Sequence, residues 1–255
     1  MAYRTGGIQL KRFLTLMKTE LKLSLRGLDM LIFAVIFPVV MVILLGMIYG
    51  NSPAYSGASY TFLEQSFGAL VSISICAGGA MGLPLLISEY RQKKILKRFQ
   101  VTPVSPVLLL CVHSAIYALY ALVSLALVYS CSAAFFGYRM QGSAKLFFLS
   151  YLLVMMSIFS IGLVIGGTAP DLKSAGIIAS ILYFPMMIFS GATLPYEIMP
   201  LPLQRVSDIL PLTQAIKLLK SASLGIPLES AAPVIYLIIL FICCSAAAAN
   251  LFKWE

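Results

Sequence analysis

Reactive side chains are scarce in this chain, which holds one histidine, nine carboxylates and five cysteines in 255 residues. No spacing among them makes an active site. GxxxxGK[ST], whose backbone cradles phosphate, does not occur, so the chain cannot be its own ATP-driven motor. Neither HExxH nor a GxSG nucleophile turn is present, and intramembrane proteolysis would need a nucleophile with a matched base on facing helices. His113 sits beside Cys111 and Ser114 in an apolar run and reads as a hydrogen-bonded packing residue. Cys76, Cys111, Cys131, Cys243 and Cys244 all fall in apolar runs, without the paired spacing of a metal site or disulfide framework, and read as packing residues. The sequence therefore predicts no catalytic residue, no metal and no cofactor held by this chain.

Charge is concentrated instead at 89–106. Glu89 opens the segment, Arg91, Lys93, Lys94, Lys97 and Arg98 follow, and Ile95, Leu96 and Phe99 are interleaved. This pattern predicts a short cytoplasmic helix with its acid at the amino end and Arg98 near the carboxyl end, where each suits the helix dipole. Pro103 stops it. Retained positive charge on the cytoplasmic side explains the basic residues. The apolar trio, facing away from lipid, suits a groove on a partner.

The elements that position this segment are membrane spans. Hydrophobic residues make up 60% of the chain and charged ones 11%, with a mean hydropathy of +0.97, whereas soluble domains are about 25% charged. Six runs, 30–49, 67–88, 107–136, 146–169, 174–194 and 232–252, contain no Asp, Glu, Lys or Arg. At ~20 residues per span the chain reads as one all-α integral membrane domain over 1–255. The uncharged runs argue against an ion-coupled carrier, which would keep ionisable relays in its spans. Thirteen Lys and Arg fall on one side of the predicted topology and five on the other, which places both termini in the cytoplasm. A net charge of +9 without a basic patch interleaved with aromatics excludes nucleic acid as a partner. Basic residues from Arg4 to Arg26, with no isolated apolar core, do not resemble a cleaved leader.

Within 1–29, Leu10, Phe13, Leu14, Met17, Leu21, Leu25 and Leu28 recur at helical steps opposite Lys11, Lys18, Lys22 and Arg26. That helix should lie on the membrane surface, its basic face on lipid headgroups. Between the last two runs, 195–231 predicts two short external helices divided by Pro211, dipping into the outer leaflet. Gly78 with Gly82, and Gly162 with Gly166, predict close helix contacts, within the chain or between copies. Pro38, Pro84 and Pro185 are candidate kinks.

This order of elements resembles the permease subunits of type 2 ABC exporters, the group that includes drug, antibiotic and polysaccharide export permeases. Glu89, Leu96, Thr102, Pro103, Val104 and Ser105 match the family's loop after the second span; Ser190, Gly191, Pro195, Pro200, Pro211, Leu212 and Thr213 match its spacing between the last two. Lys94-Ile95 departs from the Gly-Thr of many relatives. The resemblance implies a cytoplasmic ABC ATPase that carries the ATP and Mg2+, and a second permease copy or related permease. Glu89, Arg91, Lys94, Leu96, Arg98 and Phe99 would couple the chain to that ATPase. Phe33, Phe37, Met41, Met186, Met187 and Phe189 would line a pathway for an amphipathic drug, antibiotic or antimicrobial peptide. The alternatives are a polysaccharide or lipid-linked glycan as cargo or, outside the class, an ATPase-independent channel or flippase. Compact length fits a bacterial inner membrane.

Overall fold

The computed structural model describes the chain except residues 1, 51, 56, 101–104, 193–195, 197, 198, 229 and 253–255, and at 2–11, 29, 98–100 and 106 it describes the backbone alone. Six helices are long and apolar enough to cross a membrane: Ile32–Tyr49, Phe62–Gln92, Val107–Phe136, Ala144–Thr168, Leu172–Phe189 and Ala232–Leu251. An amphipathic helix, Ala2–Ser24, precedes them, and two short helices, Leu201–Ser207 and Pro211–Leu224, join the fifth span to the sixth. The only pairing of extended backbone among the described residues is an isolated bridge between Pro53 and Thr61. The fold is thus all-α.

The second span is the axis of the bundle and by far its most buried helix. It starts at a reciprocal cap: the Thr61 hydroxyl accepts from the Glu64 amide at 3.2 Å, and the Glu64 carboxylate accepts from the Thr61 amide at 2.7 Å. Glycine lets its neighbours approach. A Cβ on Gly162 of the fourth span would stand 1.9 Å from the Gly79 carbonyl oxygen, and one on Gly166 would stand 2.8 Å from the Ile87 Cβ. Gly78 and Gly82 face Tyr117 of the third span, and Gly82 also faces Met30. Both predicted glycine pairs therefore make contacts inside this chain.

Two of the three prolines are absorbed by widened turns. Single π-helical segments, Ile32–Ile36 and Ala77–Gly82, lie immediately before the helical turns that carry Pro38 and Pro84. A π turn shifts the backbone register where a proline would otherwise meet the carbonyl four residues back. Pro185 lies inside a continuous helix, Leu172–Phe189.

The helix Pro211–Leu224 does not float on the surface. Leu212, Ala215, Ile216, Leu219 and Ala222 are buried, and it fits against the second span because Gly68 has no Cβ to meet the Lys220 amide. The first, fifth and sixth spans instead turn many large apolar side chains outward, including Met47, Ile48, Ile181, Phe184 and Ile242.

Candidate functional site

The segment after the second span is anchored from beneath. Lys94 has φ +55, the only positive φ outside glycine among the described residues, and this left-handed residue ends the second span and starts the helix Ile95–Gln100. The Lys94 amide donates to the Arg91 carbonyl at 2.8 Å. Arg91 itself is buried, and its Nη1 donates to the carbonyls of Ala169, at 2.6 Å, and Gly166, at 3.2 Å. Those carbonyls belong to the end of the fourth span, where acceptors lack intrahelical partners and a cation suits the dipole. Leu96 is completely buried in the turn between the second and third spans.

The sequence reading put Glu89, Arg91, Lys94, Leu96, Arg98 and Phe99 in one coupling set, and the structure places their side chains differently. Arg91 and Leu96 point into the bundle, whereas Lys93, Lys94 and Lys97 are exposed. Glu89 pairs with Lys93 at 2.5 Å along the same helix. Arg98 and Phe99 lie on the helix Ile95–Gln100, but their side chains fall outside the described residues, as do Thr102, Pro103, Val104 and Pro195. Ser105 accepts from the Leu108 amide at 3.2 Å and so caps the third span. Asp171 caps the fifth in the same way, and the hydrogen bonds it accepts from Ser174 hold its carboxyl below the usual range. The Leu172 amide donates to the Gln92 side chain at 3.4 Å, so the start of the fifth span also touches the turn after the second span.

A polar cluster lies directly above this turn. Tyr90 donates to the Glu20 carboxylate at 3.2 Å, and His113 Nε2 stands 3.6 Å from the same oxygen. The Tyr90 and His113 rings meet edge to face at 5.1 Å. Nearby, Tyr120 donates to Ser24 at 2.9 Å. His113 therefore has a carboxylate neighbour, which sequence reasoning did not give it. One signal was available: Glu20 is the sole acid in the first 28 residues, between Thr19 and the core-facing Leu21. Burial pushes its carboxyl above the ordinary range, and the Tyr90 hydrogen bond pulls it partly back.

The six proposed pathway residues are not gathered into one cavity by this chain. Phe33 faces outward, Phe37 and Met41 are half-buried on the first span, Met186 and Met187 are buried in the core, and Phe189 is half-buried. A different chamber, of about 720 Å³, opens at the end of the bundle opposite the turn after the second span, and none of the six lines it. The start of the second span, the end of the fifth, the two connecting helices and the start of the sixth form its walls. An ion pair between Lys217 and Asp208, 2.6 Å apart, organises one wall. Tyr196 donates to Asp208 at 2.9 Å, and Lys217 lies 4.4 Å from the centre of the Tyr196 ring. Burial opposes the charge on Lys217, but Asp208 and Tyr196 outweigh it and hold its pKa above the ordinary value. Sequence reasoning missed this chamber because its lining comes from five separate segments.

Comparison with known proteins agrees with this architecture. The family model for the ABC-2 type transporter matches residues 11–224, from the amino-terminal helix to the end of the helix Pro211–Leu224. Comparison with curated proteins gave no match.

Proposed function

This chain belongs to the ABC-2 type transporter family and is a multi-pass transmembrane permease, and we propose that it forms the export pathway for an amphipathic drug, antibiotic or antimicrobial peptide. Family membership implies an ABC ATPase subunit as partner. The reading places that subunit, with its ATP and Mg2+, under the helix Ile95–Gln100 and the cytoplasm on that side. Both termini then lie in the cytoplasm, and the membrane is a bacterial inner membrane.

The observation that carries this reading is the division of the docking turn. Exposed Lys93, Lys94 and Lys97 offer an electrostatic surface to a partner, while Arg91 and Leu96 tie the turn to three spans. A push on the helix Ile95–Gln100 would pass through Leu96 to the second and third spans and through Arg91 to the fourth. Glu89, Arg98 and Phe99 complete the proposed coupling set. Two permeases, identical or related, would enclose the pathway. The outward faces of the first and fifth spans supply apolar surface for such an assembly, with Phe33 on the first. Phe37, Met41 and Phe189 would join them as the spans part, with Met186 and Met187 behind. A glycan cargo is the second reading, favoured by the polar side chains Gln65, Ser190, Gln204 and Gln214 in the chamber at the opposite end.

The test is a pull-down of tagged protein from its native membrane in mild detergent, followed by mass identification and an ATPase assay. A Lys93/Lys94/Lys97 to Glu variant runs in parallel, since all three side chains are exposed and the change spares the core. An ABC ATPase recovered with the native chain and lost with the variant is the expected result. Substrate movement by a complex that lacks any ATPase would overturn the reading in favour of the channel or flippase.

A further inference from the structure

The chamber opposite the turn after the second span lies at the depth of lipid head groups. The fifth span has 18 residues and the sixth 20, so at about 1.5 Å per residue each is roughly as long as the ~30 Å hydrocarbon layer is thick. The end of the one, at Ser190 and Gly191, and the start of the other, at Ala232 and Pro233, both wall the chamber. Within two turns of it, Phe184 and Ile188 on the fifth span and Ile235 and Ile239 on the sixth are exposed, a surface that suits acyl chains. Tyr60 and Tyr196 also line the chamber, and tyrosine is enriched where a bilayer meets water.

Its interior has unmet hydrogen-bonding demand. Gln65 is 8% exposed and Ser190 1%, both line the cavity, and neither the Gln65 Oε1 nor the Ser190 hydroxyl has a hydrogen-bond partner. The Gln65 oxygen can only accept, so a ligand must bring it a donor, whereas the Ser190 hydroxyl can give its proton to an acceptor. Lys220 lines the same chamber, its Nζ 5.8 Å from the centre of the Tyr60 ring, and an ammonium on that wall favours an ionised acceptor such as phosphate. Asp208 and Lys217 neutralise one another at 2.6 Å. Gln204 and Gln214 spend their amide hydrogens on backbone carbonyls, so these four side chains shape the wall. The ligand that fits combines a phosphate, a donor beside it and an apolar tail. The cavity volume of about 720 Å³ lies within the ~300–1,000 Å³ range of small-molecule sites.

We infer that this chamber seats the head group of a bilayer phospholipid that carries a donor beside its phosphate, as phosphatidylglycerol does with its hydroxyls and phosphatidylethanolamine with its ammonium. The donor meets Gln65 Oε1, the phosphate meets Ser190 and Lys220, and the acyl chains lie along the exposed side of the fifth or sixth span. Phosphatidylcholine has the phosphate and lacks the donor. The lipid is a resident of the leaflet on that side and not the cargo, so the site goes beyond the export reading and stands without it.

The experiment uses the full chain, purified and delipidated in a polyoxyethylene detergent, which carries neither phosphate nor sugar. Native mass spectrometry titrates the first bound lipid with phosphatidylglycerol, phosphatidylethanolamine and phosphatidylcholine of identical acyl chains, and glycerol 3-phosphate and phosphoethanolamine test the heads alone. Gln65→Leu, Ser190→Ala and Lys220→Gln are the variants. The first two replace an orphaned polar group by an apolar one, so their lipid-free thermal midpoints should hold or rise. At least one donor-bearing lipid should bind about tenfold or more tighter than phosphatidylcholine, the factor that one hydrogen bond supplies. Gln65→Leu should erase that preference, and Ser190→Ala, Lys220→Gln or both should weaken all three lipids about fivefold or more. No bound lipid, no preference over phosphatidylcholine, a preference that survives Gln65→Leu, or affinity unmoved by both Ser190→Ala and Lys220→Gln overturns the inference. Heads that bind as tightly as the intact lipids also overturn it, in favour of a soluble phosphate ester. No ATPase enters the assay, so this result and the pull-down stand or fall separately.

Discussion

The guanidinium of Arg91 donates to the carbonyl of Ala169 at 2.6 Å, joining the last turn of the second span to the end of the fourth. A buried charge held by carbonyls at a helix terminus is costly to remove singly, because the acceptors stay behind. Arg91→Met should therefore lower the stability of the purified protein by about 2–3 kcal/mol, and Arg91→Lys, which keeps the charge but loses the planar fork, by about 1 kcal/mol. Thermal midpoints in detergent measure both. Equal midpoints for native, Lys and Met chains would show that the contact carries no stability.

Lys94 occupies a left-handed conformation that favours glycine. Left-handed backbone costs a side-chain-bearing residue about 1 kcal/mol, and the Lys94 side chain is exposed. Lys94→Gly should raise stability by about 0.5–1 kcal/mol, while Lys94→Val should lower it by about 1 kcal/mol or more. Thermal midpoints read the sign. ATPase co-purification with the Gly variant tests whether the turn's geometry, rather than this particular charge, is what the partner needs.

Gly162 touches backbone, so its neighbour has little room to give. Gly162→Ala would put a methyl 1.9 Å from the Gly79 carbonyl oxygen, and separating the second and fourth spans should cost about 3 kcal/mol or more. Gly176→Ala is the control, since the nearest atom to its Cβ is Leu85 Cδ2 at 3.5 Å, an ordinary contact. It should be neutral or gain up to about 1 kcal/mol of helix propensity. Folded yield on size exclusion and the thermal midpoint should separate the two.

Periodicity and charge made the scaffold legible. Six uncharged runs and the one-sided apolar steps of the first 29 residues correspond to helices now seen, and Pro211 does divide the connection before the last span. Run boundaries followed charge rather than helix ends. The second span begins at Phe62 because Thr61 and Glu64 form a cap, although Glu64 looks too polar to belong to a span. Burial inside the docking turn was not legible. A basic residue among basic residues reads as exposed, and only the nearby carbonyls of the fourth span reveal why Arg91 is not. Gln65 and Ser190, 125 positions apart, line the same chamber, which no local pattern encodes.

Glu20 gives the last prediction its sign. Its carboxyl, 12% exposed and facing Tyr90 and His113, has its pKa raised above 4.5 by burial. A raised carboxyl pKa means that the folded state binds the proton more tightly than the unfolded chain does. This contribution to stability is complete below the unfolded value near 4.5 and is lost as pH rises through the folded value. Glu20→Gln keeps a hydrogen-bonding oxygen for Tyr90 and cannot ionise. The variant should therefore melt at a higher temperature than the native chain at pH 7–8, with the difference shrinking toward pH 4. Tyr90→Phe, which removes the one hydrogen bond that favours the carboxylate, should steepen the native chain's loss of stability with rising pH. Parallel melting curves for native and Gln chains across that range would show that Glu20 feels no burial in the folded protein. The opposite slope, with the native chain gaining on the Gln variant as pH rises, would mean that His113 carries a charge and pairs with the carboxylate at 3.6 Å, turning the cluster into a salt bridge between the amino-terminal helix and the third span.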